Sequence, residues 1–427
     1  MSSQIIKASY CQMKTYVFLF RRICGIGGAE QYIYNKTCYL ERHGWRVLVF
    51  SGEHGSILIN GFKRFSKYIY TELFYNPSCF RKSVVNKTIQ NLIRDIGNCN
   101  GDECVIESNY LSSCIWGELL SSRINARHLA IPLQENHIYD EEVKKYLWFK
   151  YNRHELSGIT KNSVRMMLGD DSVELRDDTR ISAYCNNVFD DNDDHYSQLL
   201  DDSAQITMGS LGRLSKPCVP VIVDGFCSYA IKHSDMRFNV VMIGDSELKG
   251  RKKTIQRKLS SIPNLHVVMT GNIYPVPRSF GKRFDVFVST AGAAGATYRE
   301  GFPTVTVNPL NGEPIGVIGL DYMNGKKIMY DSSPGMTIED CIDKAIKQRD
   351  KIIFADSPGE EYEKEMETEF ERQLSFLHFT DEKDYYDENL LMRMKQPHTR
   401  FPMRHRLFGH LLGGNGYERF RRILALW

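Results

Sequence analysis

The apolar run "YVFLF" at residues 16–20, followed by "GIGGAEQ" at residues 25–31, decides how the first part of the chain is built. The run predicts a buried strand, and the glycines after it predict a tight turn into a helix that ends near Gly44. A helix that begins after such a turn binds phosphate groups through its free backbone amides. Gly25, Gly27 and Gly28 are therefore candidate binding residues, although the turn would look the same if it only packed helix against strand.

The spacing of these glycines differs from the two commonest phosphate-binding motifs. The dinucleotide fingerprint requires G-x-G-x-x-G, whereas the pattern here is G-x-G-G followed by Ala29 and Glu30. A P-loop requires Gly-Lys-Ser or Gly-Lys-Thr after its glycines, and neither follows. The turn is therefore predicted to belong to another class of phosphate-binding protein.

Composition limits the class of protein further. A chain of 427 residues with 42% hydrophobic and 11% aromatic residues is long and apolar enough for two globular domains. A net charge of +3 argues against a nucleic-acid-binding protein. The 11 cysteines lack zinc-site spacing, which predicts reduced thiols and a cytoplasmic location. No window of about 18 apolar residues predicts a transmembrane helix.

Strands alternate with helices in both halves of the chain, which predicts an α/β protein with two doubly wound sheets. We predict domains at residues 1–203 and 204–378, with basic helices at residues 379–427. The aspartate-rich segment 187–202 is interpreted as a solvated linker rather than a cation site. Three predicted strands of the second domain end at a glycine, where ligands of open α/β sheets bind; these glycines are Gly212, Gly244 and Gly271.

Five segments resemble, in their order and spacing, family 4 of the retaining glycosyltransferases. They are "GGAE" with "LERHGWRVLVFSG" behind it, "MGSLGRLSKPCVP", "VVMIGDS", "IPNLHVVMTGNI", and "FDVFVSTAG" with "REGFPTVTV". The resemblance covers roughly residues 15–55 and 205–320, and the less typical middle of the chain resembles enzymes of bacterial capsule and surface-polysaccharide clusters. It implies the GT-B fold: two Rossmann-like domains facing a central cleft, with C-terminal helices packing back on the N-terminal domain.

The resemblance also implies the chemistry. A sugar would move from a UDP- or GDP-linked donor to a lipid-linked or saccharide acceptor, with retention and without a cofactor. No metal-ligand spacing is evident, so Arg213 and Lys216 are predicted to stabilise the departing diphosphate. Lys216 lies two residues closer to Arg213 than is usual in the family. On the acceptor side, "PLQENH" follows a predicted strand. The resemblance implies that His137 touches the donor sugar, although a loop histidine can also be merely solvated. Glu135 and Glu107, just past strand ends, could activate or orient an acceptor hydroxyl or act as structural partners.

The largest departure from the family lies in "STAGAAGATYREG", residues 289–301. The family carries two glutamates eight positions apart in this region. The resemblance implies that one of them is directed at the sugar and the other at the ribose of the donor. Glu300 matches the first glutamate and is a candidate donor-binding residue, whereas Asn308 occupies the second position, so the ribose partner is missing. Donor binding is therefore predicted to rest on backbone amides and hydroxyls; the candidates are Thr290, Gly292, Ala293, Gly295 and Thr297.

The tail is basic and apolar at once. Between Arg393 and Arg422 it carries eight Arg or Lys residues against one acid, Glu418. This pattern predicts two short helices, broken at "LLGGNG", that lie on the inner face of an anionic membrane, pack on the N-terminal domain, or do both. Two other functions stay open: a sugar-nucleotide epimerase of the same build, and a degenerate, non-catalytic scaffold protein.

Overall fold

The computed structural model describes residues 14–53, 57–97, 99, 104–134, 139–184, 188–322, 335–354, 358–375, 383–395 and 402–425. The chain divides into two compact units, which we call unit 1 and unit 2. Unit 1 contains residues 1–184 and 365–427, and unit 2 contains residues 185–364. The domain limits predicted at 203/204 and 378/379 stay predictions.

The strands are numbered in chain order: β1 Thr15–Phe20, β2 Arg46–Ser51, β3 Ser66–Ile69, β4 Cys104–Ser108, β5 Arg127–Ala130, β6 Phe189–Asp190, β7 Ile206–Leu211, β8 Phe238–Ile243, β9 Leu265–Gly271, β10 Val276–Pro277, β11 Val286–Ser289, β12 Thr304–Val307 and β13 Pro314–Val317. The helices are α1 Gly28–Arg42, α2 Lys82–Ile96, α3 Leu111–Ile124, α4 Glu141–Asn152, α5 Lys161–Leu168, α6 Val219–Lys232, α7 Arg251–Leu259, α8 Arg278–Gly281, α9 Ala291–Arg299, α10 Ile338–Lys347, α11 Pro358–Ser375, α12 Glu388–Leu391 and α13 Pro402–Ala425.

Unit 1 is built on a parallel sheet in the order β3-β2-β1-β4-β5. Every residue of β1 and β4 is buried, as expected where helices cover both faces of a parallel sheet. Val17 and Leu19 face the main hydrophobic cluster, whereas Tyr16 faces a polar group of buried side chains on the opposite side.

The C-terminal helices pack on unit 1, which confirms that part of the predicted fold. Leu391, Met394 and Tyr417 are buried in the same hydrophobic cluster as β1 and β4. Helix α13 is interrupted at Gly413, whose φ of 66° and ψ of −179° are not helical. The break falls within the predicted "LLGGNG" interruption and separates two helical halves.

Unit 2 contains a six-stranded sheet in the order β13-β12-β11-β7-β8-β9, in which β12 and β13 pair antiparallel and the other neighbours pair parallel. Val240 and Met242 of β8 belong to one hydrophobic cluster, and Val241 and Ile243 belong to another. The alternation shows that both faces of this sheet are covered. Short strands β6 and β10 pair outside it, so part of the aspartate-rich segment is structured.

Among the described residues, no helix combines the length and apolar character that crossing a membrane requires.

Candidate functional site

The three predicted glycines of unit 2 lie together at the carboxyl ends of neighbouring strands. Gly212 follows β7 and donates its N–H to Ile243 O at 2.9 Å, and Gly244 follows β8 and donates to Gly271 O at 2.9 Å. The φ angles of Gly212, Gly244 and Gly271 are 137°, 143° and 72°, in the region that favours glycine. A Cβ on Gly244 would lie 2.0 Å from Gly212 O. The absence of side chains therefore lets these strand ends approach each other and leaves the edge open to a ligand.

Cationic side chains flank this edge. Arg213 is exposed, and among the described residues its guanidinium has no hydrogen-bond or ion-pair partner. Lys216 is half-buried, with Nζ 4.0 Å from the position of a Cβ on Gly212. Lys252, which the sequence analysis missed, is half-buried with Nζ 3.8 Å from the corresponding position on Gly271. The basic run "KGRKK" at residues 249–253, which begins six residues after the last residue of β8, was the signal that could have revealed it.

The beginning of α9 lies beside the end of β7. Ser289 Oγ accepts a hydrogen bond from Leu211 N at 3.1 Å, which joins the ends of β11 and β7. Thr290 is the N-cap residue of α9, and its buried hydroxyl has no hydrogen-bond partner among the described residues. An N-cap hydroxyl usually accepts from the first turn of its helix, and here that contact is not made. The beginning of α9 therefore places its first-turn amides and a spare hydroxyl beside Gly212 and its cations.

The other small residues of α9 lie further along the helix. Gly292, Ala293 and Gly295 are half-buried. A Cβ on Gly295 would lie 3.4 Å from the Arg299 guanidinium, so this glycine gives room to that side chain. Thr297 is fully buried and donates to the backbone of α9 at Ala294 O, 3.0 Å away. Gly292 and Ala293 belong to the first turn of α9, whereas Thr297 contributes to packing inside the unit.

Glu300 lies at the opposite end of α9 from these amides. It is the C-cap residue, and its Oε2 accepts a hydrogen bond from Arg278 Nε at 2.6 Å. The carboxylates of Glu300 and Asp191 raise the pKa of Arg278 above its usual value. Nine helical residues separate the two ends by about 13 Å. Glu300 therefore pairs with Arg278 of α8, and its expected contact with the donor sugar stays a prediction.

The glycine turn of unit 1 contains a carboxylate of its own. A Cβ on Gly25 would lie 2.5 Å from Glu30 Oε1, and a Cβ on Gly27 would lie 2.8 Å from Glu30 Oε2. Gly28 is the first residue of α1, and Glu30 is buried in its first turn. The glycines are therefore needed to accommodate the Glu30 side chain. Because a carboxylate is already present at the beginning of α1, a second anion there would meet electrostatic repulsion.

Glu107, predicted to follow a strand end, lies inside β4 and is fully buried. Its carboxylate is 2.5 Å from Lys36 Nζ and accepts hydrogen bonds from Tyr16, Tyr32 and Asn109 at 2.6, 3.2 and 2.8 Å. Burial lowers the pKa of Lys36 although Glu107 acts in the opposite direction. These contacts assign Glu107 to a structural role in unit 1 rather than to an exposed acceptor site.

A second buried polar cluster lies on α3, α4 and β5. His128 Nδ1 is 2.7 Å from Glu118 Oε2, and His128 Nε2 is 3.1 Å from Ser108 Oγ. Lys150 Nζ also lies 2.9 Å from Glu118 Oε2. All four side chains are essentially inaccessible to solvent. The order serine, histidine, carboxylate resembles a hydrolase triad, but no substrate reaches it from solvent in this arrangement.

Two predicted acceptor-side residues, Glu135 and His137, lie outside the described residues. Among the residues that the structure does describe, no group of three or more His, Cys, Asp or Glu side chains is placed to hold a metal ion.

Comparisons with known proteins relate the chain to others by fold. No protein-family model matches it, and no curated protein sequence matches it. Among solved structures, HepE of Anabaena in complex with UDP superposes with a TM-score of 0.55 at 13% identity, covering 85% of this chain and 98% of HepE. A glycosyltransferase of Rickettsia africae gives 0.53 at 12% identity, covering 90% and 97%. TarM gives 0.54 at 10% identity, covering 86% and 99%. With two Rossmann-like units, the chain has the GT-B fold.

Proposed function

We propose that this protein is a retaining glycosyltransferase that moves a sugar from a UDP- or GDP-linked donor to a lipid-linked or saccharide acceptor of a surface polysaccharide. The observation that carries the proposal is the edge of unit 2, where Gly212, Gly244 and Gly271 meet beside Arg213 and Lys216. The fold is compatible with it, and HepE, which shares that fold, has been crystallised with UDP and with UDP-glucose.

In this proposal the diphosphate of the donor binds unit 2. The first-turn amides of α9 and the Thr290 hydroxyl donate to phosphate oxygens, and Arg213 and Lys216 balance the charge that develops as the glycosidic bond breaks. Arg213 offers two parallel N–H donors to an oxyanion, and Lys216 acts as a compact second charge.

The glycine turn of unit 1 is better suited to a neutral ligand group than to a phosphate. The carboxylate of Glu30 lies against Gly25 and Gly27, and a carboxylate accepts hydrogen bonds from sugar hydroxyls without charge repulsion. In this assignment the amides of Gly27 and Gly28 bind hydroxyl oxygens rather than phosphate oxygens.

The experiment is a binding and turnover screen of the purified full chain against UDP- and GDP-sugars. A ligand at 100 times its dissociation constant stabilises the folded state by about 2.7 kcal/mol, which a thermal shift detects. Stabilisation by one donor, with slow release of a sugar that keeps its anomeric configuration, supports the proposal. An epimerised nucleotide sugar would instead identify an epimerase, and the absence of both binding and turnover would indicate a scaffold protein.

A membrane surface is the second part of the proposal. Leu407, Leu411 and Leu412 of α13 are 57%, 62% and 46% exposed, and Arg419 on the same helix is also exposed. Exposed leucines in the first half of α13 and an exposed arginine in the second half suit the surface of an anionic bilayer. Replacing Leu407 and Leu411 by Ser should reduce co-sedimentation with phosphatidylglycerol vesicles. Replacing Leu310 of unit 2, which is 55% exposed, should not. Equal effects would contradict the membrane assignment.

A further inference from the structure

Lys252 lies at the end of the unit 2 edge formed by β9. It is the second residue of α7 and is half-buried. Its Nζ lies 3.8 Å from the position of a Cβ on Gly271, the last residue of β9. Among the described residues, the ammonium of Lys252 has no hydrogen-bond or ion-pair partner. It is therefore a cation beside a strand end without a side chain, at the edge where open α/β sheets bind ligands.

Hydrogen bonds join the beginning of α7 to the segment that carries Arg213. Arg251, the residue before Lys252, donates from Nε to Leu214 O at 3.2 Å. Leu214 in turn donates its N–H to Asp245 O at 2.9 Å, which connects the segments that follow β7 and β8. Lys252 and Arg213 therefore belong to one connected edge, and their strand ends have a defined spacing.

That spacing separates Lys252 from the proposed diphosphate site. Strand β8 lies between β7 and β9. Neighbouring strands are about 4.8 Å apart, so the ends of β7 and β9, at Gly212 and Gly271, are about 10 Å apart. The two phosphorus atoms of a diphosphate share one bridging oxygen, so a diphosphate bound beside Gly212 does not extend to Lys252. The ribose and the base are the parts of a donor nucleotide that are long enough to reach it.

In the other direction along the sheet, a turn occupies the end of β12. Asn308 follows the strand, and its Oδ1 accepts a hydrogen bond from Leu310 N at 2.9 Å, while its backbone O accepts one from Gly312 N at 2.9 Å. A Cβ on Gly312 would lie 2.6 Å from Val221 Cβ, so this turn packs closely on α6. A donor whose diphosphate lies at the beginning of α9 is therefore expected to extend its nucleoside toward β8 and β9.

The chemistry of an ammonium determines which bases suit this position. It donates three hydrogen bonds and accepts none. Its partners on a base are acceptors such as the O6 and N7 atoms of guanine, or the O4 carbonyl that uracil shares with thymine. Adenine and cytosine carry an amino group in place of that carbonyl. An amino donor that faces an ammonium gains no hydrogen bond, so Lys252 favours a base with a carbonyl group.

We propose that Lys252 binds a carbonyl oxygen of the donor's base and thereby selects uracil or guanine nucleotides over cytosine and adenine nucleotides. This inference rests on the proposed function and names the residue that determines the donor class. Arg213 and Lys216 bind the diphosphate, and Lys252 binds the base further along the same edge.

The test measures the affinity of the full chain for UDP, GDP, CDP and ADP by isothermal titration calorimetry. Lys252→Met removes the ammonium and keeps a linear side chain, and Lys253→Met, at an exposed lysine next to it, is the matched control. We expect the wild type to prefer UDP or GDP to CDP and ADP. Lys252→Met should weaken binding of the preferred nucleotide about tenfold, or 1.4 kcal/mol, and change CDP and ADP binding less than about twofold. Lys253→Met should change none of the four affinities.

Lys252→Gln gives a second readout, because an amide oxygen accepts a hydrogen bond from an amino group. This variant should bind ADP or CDP more tightly than the wild type does. An equal loss of all four nucleotides in Lys252→Met would assign the ammonium to ribose or phosphate and overturn the proposal. Unchanged affinities in Lys252→Met, or a wild type without preference among the bases, would overturn it and leave the proposed glycosyltransferase standing. A wild type that binds no nucleotide would contradict both.

Discussion

The two units carry similar, largely parallel sheets but use charge differently. Unit 1 encloses complete ion pairs: Lys36 with Glu107, and Lys150 with Glu118, all with side chains at most 1% exposed. Each ion pair found among the described residues of unit 2 has at least one partly exposed partner. At its strand ends, unit 2 places Arg213 without a described partner. We therefore expect the buried ion pairs of unit 1 to affect the stability of the fold. We expect the cation Arg213 at the edge of unit 2 to bind a ligand.

Lys36→Met should have the largest effect on stability. Removing one member of a buried ion pair costs about 3–5 kcal/mol, because the charge of Glu107 stays buried without its cation. Urea unfolding monitored by circular dichroism measures the loss. Arg42→Met removes an exposed pair with Glu367, whose side chains are 56% and 44% exposed, and should cost less than 1 kcal/mol. A similar small loss in Lys36→Met would show that the buried pair does not stabilise unit 1.

Arg213→Ala should have the largest effect on activity. Removing one group that stabilises transition-state charge lowers turnover by about 10²–10³. The unfolding temperature should not change, since Arg213 is exposed and without a described partner. Turnover of the best donor from the screen is the measurement, and Lys253→Ala, an exposed cation of α7, is the control. If both variants turn over at the wild-type rate, the charge at the edge of unit 2 is not catalytic.

Acid should destabilise unit 1 through Glu118. Burial alone would raise the pKa of this carboxyl, but Lys150 and His128 overcome that effect and hold it at about 2. Its folded pKa lies below the unfolded value of about 4.3, so its contribution is present above that value and is lost as pH falls toward 2. The shift is worth roughly 3 kcal/mol. Unfolding free energy between pH 5 and 2.5 should therefore fall less steeply in Glu118→Gln than in the wild type.

The control for this pH dependence is Glu141→Gln, since Glu141 is fully exposed on α4. In Glu141→Gln the unfolding free energy should fall with pH as steeply as in the wild type. His128 also destabilises unit 1 in acid. Burial lowers its pKa, so its protonation as pH falls opposes folding. Parallel slopes for Glu118→Gln and the wild type would mean that another group governs the acid sensitivity of unit 1.

Gly244→Ala also tests the edge of unit 2, and its expected loss of unfolding free energy relative to its control, Gly250→Ala, is smaller than that of Lys36→Met. Both Gly244 and Gly250 have positive φ, 143° and 82°, so alanine is strained at either position by about 1–2 kcal/mol. Only Gly244→Ala also brings a Cβ to within 2.0 Å of Gly212 O, whereas nothing lies within 4 Å at Gly250. We expect about 1–3 kcal/mol more destabilisation for Gly244→Ala, together with weaker UDP binding. Equal unfolding temperatures would contradict the close contact.

The sequence predicted those features of the site that depend on local pattern. Apolar runs that end at Gly212, Gly244 and Gly271 predicted strand ends, and the structure joins them by backbone hydrogen bonds. The position of Glu300 was not predictable in this way. Only Thr290 separates β11 from α9, so "EGFP" follows the helix instead of preceding it. The residue order of a motif does not show whether the motif lies before or after a helix.

The sequence also did not show which charged and polar side chains are buried. Residues 360–371, "EEYEKEMETEFE", are interpreted from sequence as a solvated acidic face. In the structure, Phe370 and Gln373 of α11 are buried, and Gln373 Oε1 accepts hydrogen bonds from Tyr32 and Lys36, both at 2.8 Å. The partners are more than 330 residues apart in sequence, and no local periodicity encodes such a contact.

The amino-acid order alone determined the alternation of strands and helices, the glycine turns and the class of fold, because these follow from hydrophobic period and backbone freedom within a few residues. Tertiary structure alone decided which charges are enclosed and which carboxylate fills the turn after β1. Those outcomes depend on side chains from distant segments competing for the same space and the same hydrogen bonds.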